Sequence, residues 1–363
     1  MYYIIMPSNT LLSIPYSKYP SSYIVESTCN TSKAPVQSPI PLNACEVSTR
    51  TITCTQSSIR FNITHIFNTI EPVNINGDKR EVYESYLHEG SIVFTKFGYE
   101  TKGTHPDKSY KEPTNILRNS LTIILNVADS RGRYKFINMK VPPSGMIQFT
   151  GCLEYYQAIR ALTLVVKRLL HECPSSIELS NPSDRQCRFM MKTHMSNIKV
   201  HLKGRNVDRD KLRNVINLES PLGWRAVFDH SGYSGVNIKC FYTTPFEEVD
   251  IPIPVITLDL SPNIELSPPL ALVRDMEPNS NGVRIDVLNY QDYIGHLSPA
   301  ELEREQHWYS MKRLSIMMFQ TGTITLSGVH ERLIRPIWKL FIDFVLEKQD
   351  GVFFGEHVKI VDY

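Results

Sequence analysis

What this chain lacks narrows its class before anything present does. No stretch of its 363 residues approaches about 18 consecutive apolar positions, which excludes a helix that spans a bilayer. The opening Met1-Tyr2-Tyr3-Ile4-Ile5-Met6 is too short and too uncharged for a secretory leader, so an intracellular protein with no membrane partner is expected. The seven cysteines (Cys29, Cys45, Cys54, Cys152, Cys173, Cys187, Cys240) are odd in number and contain no C-x-x-C pair; they read as thiols, not as a disulfide framework or a zinc site. Alanine is scarce, 8 residues against 34 isoleucines, a compositional bias that carries no mechanism. The sequence has no G-x-x-x-x-G-K-[ST], no H-E-x-x-H and no G-x-S-x-G. Asp229-His230-Ser231 sets triad-type residues side by side, but consecutive side chains on a strand point to opposite faces. His171-Glu172-Cys173 stands at a predicted helix end and reads as surface. No enzyme, no cofactor and no metal is expected.

What is there begins with charge. The net charge of +2 conceals a division along the chain. Residues 243–306 hold twelve acidic residues against Arg274, Arg284 and Arg304. Residues 188–225 hold nine bases (Arg188, Lys192, Lys199, Lys203, Arg205, Arg209, Lys211, Arg213, Arg225) against Asp208, Asp210 and Glu219. Such a basic stretch is a candidate polyanion footprint, and charge alone leaves an ordinary solvated surface equally open.

Residues 1–46, rich in Ser, Pro, Thr and Tyr with four charges, read as a flexible tail. An internal repeat follows. Gln56-Ser57-Ser58-Ile59-Arg60-Phe61-Asn62 matches Met195-Ser196-Asn197-Ile198-Lys199-Val200-His201, and Ser144 to Gly151 matches Thr321 to Gly328, with the glycines six apart in both. Each Gly-x5-Gly unit follows an apolar run (Tyr134 to Val141; Leu314 to Phe319) and predicts a hairpin. Helices are predicted after each: over 153–172, where Tyr155, Ile159, Leu162, Val166 and Leu169 recur at three and four, and over 331–348, where Ile334, Ile337, Phe341 and Val345 face a sheet and Pro336 fits only the first turn. Shorter helices are predicted at 63–70 and 207–218, where Asn68-Thr69-Ile70 echoes Asn214-Val215-Ile216. Each half is then α+β, and two halves joined edge to edge make one antiparallel sheet with helices on one side.

These residues resemble the TATA-box-binding protein family. The likeness lies in Met318-Phe319-Gln320-Thr321-Gly322 with Leu326-Ser327-Gly328, in Pro142-Pro143-Ser144-Gly145 with Phe149-Thr150-Gly151, in Tyr233-Ser234-Gly235-Val236-Asn237-Ile238-Lys239, and in Phe189 to Leu202. It covers about 50–242 and 307–348, and length and divergence are most similar to the factors of this kind in large cytoplasmic DNA viruses. The resemblance implies a saddle of two pseudo-repeats, 47–174 and 175–348, with an acidic insertion at 243–306 and a C-terminal tail at 349–363. It implies a monomeric transcription-initiation factor that bends A·T-rich promoter DNA through its concave sheet and recruits other initiation factors or RNA polymerase. For a viral member the compartment is the host cytoplasm, in a virus factory, or the virion.

Family members wedge apolar rings between base steps in a widened minor groove. The resemblance implies Phe319 and Tyr233 as wedges, with Gln56, Gln148, Thr150, Thr193, Met195, Lys239, Met317, Thr325 and Ser327 on the concave face. The first half departs from the pattern: Val141-Pro142 stands at one wedge position and Arg118-Asn119-Ser120 near the other, so one kink is expected, not two. The insertion lengthens the second half, since Ser196 to Gly322 spans 126 positions and Ser57 to Gly145 spans 88. Its Pro-rich start and Leu297-Ser298-Pro299-Ala300-Glu301 predict a loop and then a capped helix, either folded over the basic surface or docked at the sheet's rim. The long helices 153–172 and 331–348 are the expected docking surface for proteins. The alternative is a saddle-shaped interaction scaffold with little or no DNA binding of its own.

Overall fold

A computed structural model describes residues 47–55, 58–73, 75, 87–107, 109–110, 119–143, 146–203, 206–229, 231, 234–249, 251–261, 264–266, 282–354 and 359–360, all within the unit Pro39–Tyr363. The tail expected over 1–46 lies outside them. In chain order the elements are β1 (Val47–Thr55), β2 (Ile59–Phe61), α1 (Ile63–Thr69), β3 (Ile92–Phe97), β4 (Glu100–Gly103), β5 (Leu121–Ala128), β6 (Tyr134–Val141), β7 (Ile147–Cys152), α2 (Tyr155–Glu172), β8 (Ile177–Leu179) and β9 (Gln186–Lys203). Then come β10 (Asn206–Val207), α3 (Arg209–Glu219), β11 (Arg225–Val227), β12 (Gly235–Cys240), β13 (Ile253–Asp259), β14 (Val283–Leu288), α4 (Tyr290–Gly295), α5 (Pro299–Ser310), β15 (Leu314–Phe319), β16 (Thr323–Gly328), α6 (Glu331–Glu347), α7 (Gln349–Val352), β17 (Phe353–Phe354) and β18 (Lys359–Ile360).

The architecture is α+β, built on an antiparallel sheet of order β11-β12-β15-β16-β9-β1-β7-β6-β5-β3-β4. Outward from the central β1·β9 pair, one arm runs β7-β6-β5-β3 and the other β16-β15-β12-β11. Residue alternation decides which face each strand buries. In β15 Leu314, Ile316 and Met318 are buried while Ser315, Met317 and Phe319 are half-buried, and β16 alternates likewise. The buried sides face two apolar clusters, one gathering β5 to β7 under α2, the other β12, β15 and β16 under α6. Ile334, Ile337, Phe341 and Val345 of α6 are fully buried there, as their spacing predicts. Both hairpins form where the Gly-x5-Gly units predict them; Gly322, at φ 76°, closes the β15–β16 turn by donating its N–H to the Phe319 carbonyl (3.0 Å).

Three expectations change. Pro336 lies in the second turn of α6, not the first, on the exposed side, where the proline omits one backbone hydrogen bond at low desolvation cost. Residues 349–354 form no loose tail: Val352 and Phe353 are buried against the α6 cluster, and β17 pairs with β10. The match of Gln56–Asn62 with Met195–His201 does not join equivalent places. Gln56 and Ser57 lie outside the described residues, and Ile59–Phe61 pairs with β8, whereas Met195–His201 lies in the main sheet. The echo of Asn68-Thr69-Ile70 in Asn214-Val215-Ile216 joins the right elements, for Asn62 caps α1 by accepting from the His65 N–H and Asp208 caps α3 by accepting from the Lys211 N–H.

The Pro-rich start of the insertion, expected as a loop, instead contains a strand that extends the sheet, because Ile253, Val255, Ile256 and Leu258 bury against it. Strand β13 pairs with Gln186–Met190 of β9 and with β14, and α5 carries the capping box Ser298/Glu301 that its sequence predicts. Along β9, between β13 and β16, α4 and α5 close on Lys192. Its ammonium meets both Glu305 carboxylate oxygens at 2.5 and 2.6 Å and lies 4.8 to 5.7 Å from the Tyr293, Trp308 and Tyr309 ring centres. The side chains of this pair are 17% and 10% exposed, so removing one partner leaves a charge stranded in apolar surroundings. Glu305→Ala is expected to lower unfolding free energy by about 3 kcal/mol in urea titration. The double change Lys192→Met with Glu305→Leu is expected to recover most of that loss.

Candidate nucleic-acid interface

The registers turn the sheet's helix-free face into rows. On the second arm, one row runs Val227, Asn237, Met317, Thr325, Lys199, and the next runs Arg225, Lys239, Ser315, Ser327, Asn197. On the first arm the corresponding rows are Lys96, Thr122, Lys140, Gln148, Thr53 and Phe94, Ile124, Asn138, Thr150, Thr51. These rows contain no acidic residue and five bases, of which Arg225, Lys239, Lys199 and Lys140 are exposed or half-buried and Lys96 is buried; beyond Thr53 the register continues to Lys192, which Glu305 engages. A surface of hydroxyls, amides and ammonium groups without carboxylates suits a polyanion.

Gln148, Thr150, Met317, Phe319, Thr325 and Ser327 are half-buried on this face. Lys239 is exposed, its ammonium donating to Ser315 Oγ (3.0 Å), which donates to Asn237 Oδ1 (2.9 Å). Phe319 stands opposite Gly235, and a Cβ on that glycine would meet Met317 Cγ at 3.0 Å and Phe319 Cδ1 at 3.2 Å. The missing side chain is what lets the two apolar groups settle against the neighbouring strand. Beside them is a groove of about 520 Å³ lined by Lys199, Arg209, Ser234, Phe319 and Thr325 among others. Arg209 is held there by donating to the Ser234 carbonyl (2.9 Å) over the Phe228 ring.

Thr193 corrects an expectation. Thr51 opposes Met195 while Ile52 opposes Thr193, so β9 carries one extra residue at His194. That bulge places Thr193 and Met195 on opposite faces. Met195 is 37% exposed, whereas Thr193 is buried on the helix side, its hydroxyl donating to Tyr155 Oη at 2.7 Å. Tyr233 and Gln56 lie outside the described residues. Asp229 and Ser231 form a turn in which the Asp229 carboxylate accepts from the Ser231 N–H and hydroxyl; His230 is outside the described residues.

Positions on this face that sequence reading did not name as contacts include Asn197, Asn237, Lys140 and Thr53, while Lys199 was legible only as one base of the basic stretch. Their signal was alternation against Ile198, Val200, Ile238, Met139 and Cys54, readable only after each register is known. The helix side also departs from expectation. In α2 only His171 and Glu172 are exposed, because insertion residues Leu260, Leu266, Val283 and Ile285 share its apolar cluster and Glu89 pairs with Arg160. In α6, Arg332, Arg335, Pro336, Lys339, Leu340 and Asp343 remain exposed. Of the two helices expected to dock proteins, α2 is therefore covered. The insertion takes Lys192 out of the basic stretch and leaves Lys199 and Lys239 exposed.

Behind the sheet, the arms meet at a polar knot. Arg50 of β1 donates to the Leu153 carbonyl and pairs with Glu331 at the start of α6 (2.8 Å). Neighbouring His330 caps α6, its bare Nδ1 accepting from the Arg332 N–H (3.2 Å), with Nε2 3.6 Å from Glu331. Burial, reinforced by Arg50, Arg332 and Arg335, holds the His330 ring well below the usual imidazole range despite Glu331. Burial pushes the Glu331 carboxyl up, but His330 and Arg50 bring it to a net value below its ordinary one. Both folded groups resist protonation more than their unfolded counterparts, so their contributions are intact at neutral pH; that of His330 is lost as pH falls below about 6.5 and that of Glu331 only below about 4.5. Urea titrations are expected to find stability declining across that acid range. His330→Asn, which keeps a capping side chain and removes the titrating ring, is expected to flatten the decline.

No family model matches this chain. It is similar to "Uncharacterized protein 335L" of Invertebrate iridescent virus 6, 21% identical over 258 residues that cover 70% of this chain and 67% of that protein. Among solved structures it is similar to Methanococcus jannaschii TBP at 8% identity and a TM-score of 0.33, covering 83% of this chain and 98% of that one. No helix among the described residues is long and apolar enough to cross a membrane.

Proposed function

We propose that this chain is a TATA-binding-protein-like transcription-initiation factor that binds and bends duplex DNA through the helix-free face of its sheet. The observation that carries the reading is that face: rows from two arms of like strand order, holding four accessible bases and no carboxylate, with an apolar ring at one end. In this reading the arms are two pseudo-repeats of one curved saddle, with halves near 47–174 and 175–348. Phe319 is the wedge, and Tyr233 is its proposed partner. A wedge works because ring contact offsets the few kcal/mol of unstacking a base step. Thr325, Ser327, Gln148 and Thr150 reach base edges or sugars, Met317 and Met195 supply apolar contact, and Lys199 and Lys239 neutralise phosphates. Gln56 stays a proposed contact, and Thr193 is withdrawn.

The proposed partners are A·T-rich promoter duplexes and other initiation factors or RNA polymerase, docking on α6. The proposed class is that of large cytoplasmic DNA viruses, with action in the host cytoplasm or virion. A saddle-shaped protein scaffold is the second reading, favoured by the loss of one wedge pair and by the Glu305 carboxylate on Lys192.

Fluorescence anisotropy with A·T-rich and G·C-rich duplexes over a salt series separates the two readings. A DNA-binding factor prefers A·T and loses affinity steeply with salt; Phe319→Ala weakens it by about tenfold, the worth of an unstacked step. Lys199→Gln lowers the salt slope by about one. A scaffold binds neither duplex even at low salt.

A further inference from the structure

This inference rests on the DNA-binding reading and concerns how much of the face takes part. Val227 and Lys96 occupy matched places, each outward of a mid-row residue, Asn237 or Thr122, and Arg225 and Phe94 are matched in the next row. Their surroundings are opposite. Val227 is 66% exposed and Arg225 is exposed, whereas Lys96 is 8% and Phe94 5% exposed.

The cover on the first arm is the chain that follows β4. Gly103 has φ 78°, and a Cβ there would meet the Val93 carbonyl oxygen at 2.2 Å, so only glycine turns the chain back at this point. His105 then stacks on Tyr110 with ring centres 3.9 Å apart and planes 13° apart, and sets its edge against Phe94 at 5.1 Å. Tyr110 Oη accepts from the Lys96 ammonium (3.4 Å). Between the two rings Asp107 holds the turn, its carboxylate accepting from the Ser109 N–H (2.9 Å) and hydroxyl (2.7 Å).

We propose that the segment carrying His105, Asp107 and Tyr110 is a strap that closes the outer first arm to nucleic acid. A duplex is then engaged by the second arm, the central strands and the adjoining β7. Stacked rings occupy the space a sugar-phosphate backbone needs, and the base beneath them is already committed to a tyrosine hydroxyl. Seven strands, β11 to β7, at about 4.8 Å spacing span about 29 Å, which at about 3.4 Å per base pair accommodates roughly 8 base pairs.

The test is hydroxyl-radical footprinting of the full chain on a long A·T-rich duplex, with anisotropy titrations of Asn237→Asp and Thr122→Asp, one carboxylate introduced at the matched place on each arm. Protection of roughly 8 base pairs is expected. Asn237→Asp is expected to weaken binding by about tenfold or more, and Thr122→Asp to change it by less than about twofold. Protection of roughly 13 base pairs, the span of all ten strands from β11 to β3, or equal losses from the two variants, overturns the strap. Failure of the unsubstituted chain to bind any duplex overturns the DNA-binding reading and the strap with it. If circular dichroism finds either variant unfolded, the footprint of the unsubstituted chain decides alone.

Discussion

Everything in this fold hangs on the pairing of β1 with β9. The two strands lie side by side at the middle of the sheet, and each is the first strand of one arm. Neither arm's apolar layer continues into the other; each gathers under its own long helix. What joins them is a ladder of backbone hydrogen bonds, irregular at two points, and the knot of Arg50, Leu153, Glu331 and His330 behind it. A charged pair in that place stabilises weakly for its cost of burial, but its geometry admits one arrangement of the helix ends it connects.

The irregularities in that central pair have consequences for the open face. One extra residue at His194 sends Thr193 to the helix side, where it meets Tyr155, and leaves Met195 outward. Side chains on a strand alternate, so a one-residue insertion reverses every assignment beyond it. The insertion exploits the same region. Its strand β13 takes the flank of β9 that β16 leaves free, and its helices close over Lys192. An acidic segment thus becomes part of the sheet's body, engaging one base of the basic stretch while the groove beside Phe319 stays open.

The two arms share an order of strands and differ in chemistry. The second keeps polar alternation out to its edge strand, with Arg225 and Val227 in solvent. The first carries continuous apolar runs in β3 and β5, such as Ile92-Val93-Phe94 and Ile123-Ile124-Leu125, which demand cover on both sides. That cover is the strap of His105 and Tyr110 together with Phe136. An arm with two buried faces gains apolar burial and leaves less open surface than the second arm.

The sequence by itself determined the long helices, the two hairpins and the capped helix of the insertion. The 3.6-residue spacing in 155–169 and 334–345, the Gly-x5-Gly units, the capping box at Ser298 and the paired echoes at Asn68 and Asn214 each mark local structure that depends on neighbours along the chain. Half of the candidate face was legible for the same reason, because Met317, Phe319, Thr325 and Ser327 lie on one regular hairpin. Tertiary structure alone decided the rest. The bulge at His194, the covering of α2 by the insertion, the strap over Phe94 and the membership of Lys199 and Asn237 in one row all depend on which strands become neighbours. Periodicity reports which residues share a side of one strand; only long-range pairing selects the partner strand and the register, and so decides what that side meets.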